Sequence, residues 1–382
     1  MTTRLTILTE IIAPYRIPIF NALAKVDGIN LHVIFLAETD PEARDWLVYK
    51  NEIHFSSQVL PSYRKRLGRH NLLLNLGVGR ALRRAKPDVI ICGGYNYIAS
   101  WRALSWARRN RVPFLLWTES NSKDLRQNNL LTQRLKRTFI GKCNGFVVPG
   151  KASREYLLSF NVSPEKTFTA PNAVDNNLYK NFADDVRRDG AKWRSQLNLP
   201  KRYFLFVGRM VVEKGIFDLL RAYDSLDPKL RADVGLVFVG DGSARAELER
   251  LSRTVKTGQI QFAGFIQREN LPRYYALAEA LVLPTHTDTW GLVVNEAMAC
   301  SLPIVCTDVA GCVPDLVEEG WNGRVIPARN IKALARILKD LASNTEIVRE
   351  MGENSGERIL HFSPEIFAQG IAEAAFSARV KL

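Results

Sequence analysis

The chain has 382 residues, a formal net charge of +14, 46% hydrophobic and 24% charged residues. That length exceeds what one ordinary core organises and suits two domains, while the composition excludes a disordered or repeat-built chain. No run of about 18 uncharged apolar residues occurs, which excludes a spanning helix.

From the N-terminus, Leu5 to Ile12 is a short apolar run interrupted by Glu10. It predicts a first strand near 4–10 rather than an export signal, and so a cytosolic chain. Strand-length apolar runs follow at 31–37, 88–92, 113–117, 144–148 and 166–170, most of them separated by helix-period stretches near 16–26, 72–85, 97–110, 129–140 and 151–159. After Pro171 the period is lost, and the polar segment through Gly190 marks a boundary, giving domains 1–180 and 181–361. The alternation then restarts, with strands 203–207, 234–239, 259–262, 280–284 and 303–306 and helices 214–226, 243–253, 270–278, 291–299 and 330–341. A last helix, about 362–382, is expected to pack back onto the first domain. The pattern predicts an α/β protein of two Rossmann-like, doubly wound parallel-sheet domains facing across a cleft, where ligands bind at the carboxyl ends of the strands.

Charge is distributed unevenly along this plan. Residues 1–180 carry 27 Lys+Arg against 13 Asp+Glu, whereas residues 181–382 carry 26 of each. The excess clusters at Arg64, Lys65, Arg66 and Arg69, at Arg80, Arg83, Arg84 and Lys86, at Arg102, Arg108, Arg109 and Arg111, and at Arg134, Lys136 and Arg137. These are either solvated helix faces or a surface for anionic lipid, an anionic acceptor or nucleic acid. The odd count of five cysteines makes no disulfide framework. Cys300, Cys306 and Cys312 lack the paired spacing and histidines of a zinc site and suit small buried residues better.

Four motifs follow strands. Gly145-x4-Gly150-Lys151 matches part of a phosphate loop, yet Phe146-Val147-Val148 reads as the strand itself and Ala152 stands where a hydroxyl is wanted. Val239-Gly240-Asp241-Gly242 opens a helix but has Arg245 at the third glycine position, so a strand-to-helix turn explains it. Val207-Gly208-Arg209 to Glu213-Lys214-Gly215 places a guanidinium and an ammonium near a helix start, which suits a diphosphate. In Pro284 to Cys300, a polar loop carries Asp288, Gly291 follows, and a helix carries Glu296. A loop carboxylate and a helix carboxylate can then face one crevice and hold sugar hydroxyls.

At these residues the sequence resembles glycosyltransferase family 4, the retaining transferases of GT-B architecture. The resemblance runs in order through Val207-Gly208-Arg209 with Glu213-Lys214-Gly215, Val239-Gly240-Asp241-Gly242, Phe262-Ala263-Gly264-Phe265, Asp288-x7-Glu296-Ala-Met-Ala, Ala310 to Asp315, and Trp321-Asn322-Gly323. It implies that Arg209 and Lys214, beside Gly208, bind the donor diphosphate and stabilise its developing charge. Glu296 would hold the ribose, and Gly264, Phe265 and Ile266 would line the base. Asp288 would contact the hexose, and Thr289, Trp290, Gly291 and Leu292 would bring backbone amides to the sugar and phosphate. Where most members have a glycine-rich first loop, this chain has Ala13-Pro14-Tyr15-Arg16, so Arg16 would serve the diphosphate. Where the family often has a histidine, Glu119 is the candidate substitute.

The resulting expectation is a metal- and cofactor-independent hexosyltransferase using a nucleotide-sugar donor and a glycan or lipid-linked acceptor in envelope or exopolysaccharide assembly. It would be cytoplasmic, peripheral on an anionic inner leaflet, with no nucleic-acid partner. A sugar-nucleotide epimerase, a glycan phosphorylase, and a non-catalytic basic protein binding nucleic acid or membrane remain as alternatives.

Overall fold

The computed structural model describes residues 2–40, 46–67, 70–123 and 130–380. Arg69 of the first basic cluster, residue 129 of an expected helix and residues 381–382 lie outside them. The chain forms two compact units. One runs to Val174 and resumes at Ser363, and the other is Asp175–Phe362.

The first unit contains β1 (Thr3–Thr9), β2 (Ile29–Phe35), β3 (Ser56–Val59), β4 (Ser62–Leu67), β5 (His70–Asn75), β6 (Val89–Gly93), β7 (Phe114–Trp117), β8 (Gly145–Val148) and β9 (Thr167–Thr169). Seven strands make one sheet in the order β3-β2-β1-β6-β7-β8-β9, and every pairing is parallel. β6, β7 and β8 are apolar throughout because both faces are covered. Leu5, Ile7, Ile91 and Trp117 belong to one hydrophobic cluster, with the helices Arg16–Ala24 and Pro364–Val380. Leu8, Ile90, Phe114 and Leu116 belong to another on the opposite face, with the helices Val78–Ala85, Ile98–Arg109 and Leu130–Ile140. Gly145–Val148 is strand, as the apolar run required, so no phosphate loop forms there.

Two expectations are corrected. The helix expected over 72–85 begins only at Val78, and Leu72–Asn75 belongs to β5, which pairs antiparallel with β4. Within that run Leu73 is fully buried and Leu72 and Leu74 are half-exposed, the period-2 pattern of a strand. The segment through Gly190 is not structureless. It forms the helices Asn176–Arg188 and Gly190–Gln196, with Tyr179, Ala183 and Val186 as a buried stripe, and the Asp175 side chain caps the Leu178 amide at 3.0 Å.

The second unit holds β10 (Arg202–Val207), β11 (Val234–Val239), β12 (Ile260–Gly264), β13 (Ala280–Leu283), β14 (Ile304–Thr307) and β15 (Gly323–Ile326). They form a six-stranded parallel sheet ordered β12-β11-β10-β13-β14-β15. The order reverses between β10 and β13, and the crevice outside the carboxyl ends of those strands is where such sheets take ligands.

Candidate functional site

Both flanks of this switch point carry the motif residues. Gly208 follows the end of β10, and Arg209 follows it, exposed. The Met210 amide donates to the Asp241 carbonyl (2.8 Å), which ties the loop after β10 to the loop after β11. At Gly240 a Cβ would stand 2.0 Å from the Gly208 carbonyl oxygen, so these two strand exits approach as only glycine permits. That contact, with Arg245 paired to Asp241 (2.9 Å) and Glu249 (2.7 Å), accounts for the glycine-rich turn after β11.

A single turn, Val212–Lys214, carries the lysine, and Gly215 (φ +68°) starts the next helix. A Cβ on Gly215 would meet the Pro284 carbonyl oxygen at 1.9 Å. The lysine turn is therefore pressed against the exit of β13. Two backbone-directed bonds lock it there: the His286 amide (2.8 Å) and the Thr285 hydroxyl (3.1 Å) both donate to the Glu213 carbonyl. The consequence is a direct ion pair between the Lys214 ammonium and the Asp288 carboxylate, both largely buried. Two residues unmarked by the sequence complete this support, since the His286 ring lies 2.7 Å from the Asp218 carboxylate.

Beyond Asp288 the loop is fastened to the segment after β14. Gly311 donates to the Asp288 carbonyl (3.2 Å) and Cys312 to that of Trp290 (3.0 Å). Trp290 is buried, and its indole N–H donates to the Asn295 side chain (2.8 Å), so that donor is spent inside the protein rather than on a ligand. Thr289 is half-buried. Gly291 (φ +95°) then opens the helix Leu292–Ala299, whose first amides have no acceptor within the helix and carry its positive dipole end.

Glu296 lies in the second turn of that helix. The Tyr275 hydroxyl donates to it at 2.7 Å and Tyr179 also bonds it. Burial pushes the carboxyl up to about 7, although both tyrosines act in the other direction. Neither tyrosine stands in a recognisable motif, and their convergence on Glu296 exists only in the fold. Gly264 ends β12 and accepts from the Gly240 amide (2.7 Å), with Phe265 partly exposed and Ile266 half-buried after it. The structure thus couples Lys214 to Asp288 and sets Gly291, Leu292 and Glu296 on the helix that follows. Gly208 and Arg209 border the same switch point, and Gly264 to Ile266 follow the outermost strand.

Arg16 and Glu119 lie in the other unit, after β1 and β7, and pair with each other at 3.7 Å. The Arg16 guanidinium also lies over the Trp117 ring (4.7 Å). Cys300, Cys306 and Cys312 are fully buried, and burial pushes the Cys306 thiol up to about 12, which makes it a core residue. Tyr95 is buried, and Trp101 is half-buried, packs edge-on against Phe139 (4.9 Å) and donates its indole N–H to the Tyr95 carbonyl (3.1 Å).

Two family models match the chain: Glycosyltransferase Family 4 over residues 19–178 and Glycosyl transferases group 1 over residues 188–358. Among curated proteins, the chain is 33% identical over 180 residues to alpha-D-kanosaminyltransferase of Streptomyces kanamyceticus, covering 46% of this chain and 45% of that protein. It is 32% identical over 146 residues to O-antigen chain mannosyltransferase B of Escherichia coli, covering 37% and 38%. Each alignment therefore spans less than half of the relative's length. Among solved structures, Anabaena HepE in complex with UDP superposes with a TM-score of 0.77 at 21% identity, covering 99% of this chain and 100% of that one. Sucrose-phosphate synthase of Thermosynechococcus elongatus gives 0.76 at 19% identity, covering 99% and 100%. At such identities the likeness establishes the fold, which is that of these two-domain GT-B proteins.

Proposed function

The chain belongs to glycosyltransferase family 4, and from that premise we propose that it moves a hexose from a nucleoside diphosphate sugar to a glycan or lipid-linked acceptor, with retention and without a metal or cofactor. The observation that carries this reading is the Lys214–Asp288 pair at the β10/β13 switch point, in the loop that leads into the helix carrying Glu296. A diphosphate there meets an ammonium, a guanidinium and unpaired helix amides, which supply the charge stabilisation that a divalent ion would otherwise provide. Glu296, held by two tyrosines, presents a carboxylate oxygen to the ribose diol.

The ion pair gives Asp288 a second duty. In the free protein it neutralises Lys214. An arriving diphosphate competes for the ammonium and releases Asp288 to accept a hexose hydroxyl. As the glycosidic bond breaks, negative charge grows on the β-phosphate, where Lys214 and Arg209 are most effective. The acceptor hydroxyl attacks from the face that the diphosphate leaves and gives its proton to the departing diphosphate oxygen.

The likeness to an O-antigen mannosyltransferase supports a role in envelope glycan assembly, and the UDP in the HepE structure recommends uridine donors as first probes. Among the described residues no helix is long and apolar enough to cross a membrane, and the basic N-terminal unit suits peripheral attachment to an anionic leaflet. The test is turnover of a panel of nucleotide sugars in EDTA, with the product anomer read by NMR. Activity in EDTA, retention, and loss in Lys214→Ala and Glu296→Ala are expected. An absolute metal requirement or an inverted product would overturn the proposal.

A further inference from the structure

We infer that the N-terminal unit docks on an anionic lipid surface through the outer face of the helices Val78–Ala85, Ile98–Arg109 and Leu130–Ile140, with Leu76, Ile98 and Leu135 as apolar anchors. This deepens the transferase reading and rests on it in one respect: it makes the acceptor lipid-linked.

The three helices cover one face of the seven-stranded sheet, through the cluster containing Val78, Leu82, Ala103, Leu104 and Phe139. Not one Asp or Glu occurs in them, while their outward positions carry eight exposed arginines. The next acid in the chain after the first of these helices, Asp88, is paired with Arg4 at 2.7 Å and does not offset them. Arginine suits a phosphodiester headgroup because its planar fork donates two parallel hydrogen bonds to one phosphate.

Charge alone would equally suit a nucleic acid, and the apolar side chains decide between them. Leu76, Ile98 and Leu135 are 75%, 44% and 50% exposed, each with an arginine close by in sequence: Arg80, Arg102 and Arg134. The three belong to one surface. The Arg102 guanidinium donates to the Asn75 carbonyl (3.0 Å), which joins the Ile98 helix to the residue before Leu76. Trp101 packs on Phe139, which joins that helix to the one bearing Leu135. Exposed aliphatics among arginines match the apolar–polar boundary of a bilayer, whereas no aromatic residue of these three helices is fully exposed for bases to stack on.

The placement also fits the chemistry. A crossover helix leaves the carboxyl end of its strand, so Ile98, the first residue after the β6 loop, stands at the same edge of the sheet as Arg16 and Glu119. Anchors at that edge bring it to the interface where a lipid-linked acceptor presents its hydroxyl.

The test is co-sedimentation of the full-length protein with vesicles of phosphatidylglycerol and phosphatidylcholine, against pure phosphatidylcholine, after nuclease treatment and across a salt series. Binding to the anionic vesicles alone, weakened by salt, is expected. The triple variant Leu76→Ser/Ile98→Ser/Leu135→Ser should lose at least about tenfold in vesicle affinity, and Arg80→Gln/Arg83→Gln/Arg134→Gln about 100-fold. No binding to anionic vesicles would overturn the proposal, as would serine variants that bind like the parent, or binding of duplex DNA tighter than binding of vesicles. Both variants should keep the parent's thermal shift with UDP. If the parent shows no shift with any nucleoside diphosphate of the panel, the transferase reading fails, while the docking result still stands or falls on the vesicles.

Discussion

Among the ion pairs at the carboxyl edges of the two sheets, Lys214–Asp288 in one unit and Arg16–Glu119 in the other are built differently. Lys214 and Asp288 come from adjoining loops at the β10/β13 switch point, pressed together by a glycine contact and by amides fastened to the Glu213 carbonyl. Arg16 and Glu119 come from loops after β1 and β7. There the guanidinium is enclosed by the Trp117 ring, the Thr9 hydroxyl and the acid. A lysine on a flexible stem can exchange one anion for another, whereas an arginine fixed on an indole face and between partners is committed. We propose from this contrast that Lys214 exchanges its carboxylate for a diphosphate more readily than Arg16 does.

The largest effect expected is at Lys214. Lys214→Ala should lower kcat/KM for the nucleotide sugar by about 10²- to 10³-fold, the cost of one preorganised charge-stabilising donor. A loss under tenfold would dissolve the contrast with Arg16. Asp288→Asn separates its two proposed duties. Turnover should fall by about 10²-fold through the lost hexose contact, while UDP binds roughly threefold more tightly because the carboxylate no longer competes for Lys214. Weaker UDP binding in a calorimetric titration would mean that Asp288 orients the lysine instead.

Gly215→Ala tests the clamp. A methyl at 1.9 Å from the Pro284 carbonyl oxygen, on a residue with positive φ, must displace one loop from the other. The expected cost is about 3 kcal/mol in the stability of the C-terminal unit, read from denaturant unfolding. An unchanged midpoint would mean that the two loops are not pressed together.

Glu296 offers a test in pH. With its carboxyl pushed up to about 7, the free protein holds it mostly protonated at pH 6 and mostly ionised at pH 8. If the ionised form takes the ribose, UDP affinity should rise about tenfold between those values. Stability moves the opposite way. The folded state keeps a proton that the unfolded chain has released above about 4.5, so stability of the free protein falls as pH rises from there to about 7. Glu296→Gln should flatten both profiles.

The smallest effect is at Glu119. Glu119→Gln leaves Arg16 on Trp117, so we expect a few-fold change in turnover and less than about 1 kcal/mol in stability. A loss comparable to that of Lys214→Ala would put the first-unit pair on the reacting atoms.

The architecture was legible because parallel strands covered on both faces must be apolar along their whole length. β11, β13 and β10 after Arg202 are continuous apolar runs and fell within a residue of their expected ends. The elements that went unread have weak local signatures. β3 is Ser-Ser-Gln-Val and exists because β2 offers it an edge, and β5 interrupts a segment whose leucines also suit a helix. The polar-looking helix Asn176–Arg188 hid its stripe of Tyr179, Ala183 and Val186 among charges.

By itself the sequence determined the two α/β units, the excess of positive charge in the first, and the motif residues Arg209, Lys214, Asp288 and Glu296, because glycine spacing and charge type are local properties. Only the tertiary structure decided which of them touch. The Lys214–Asp288 pair spans 74 positions, the Tyr275–Glu296 bond 21, and the Tyr179 hydroxyl reaches the same carboxylate from a helix still further away in the chain. Contacts of that range depend on strand order and on how closely loop exits approach. In this chain strand order set the β10 and β13 exits side by side, and a glycine at 215 let them close.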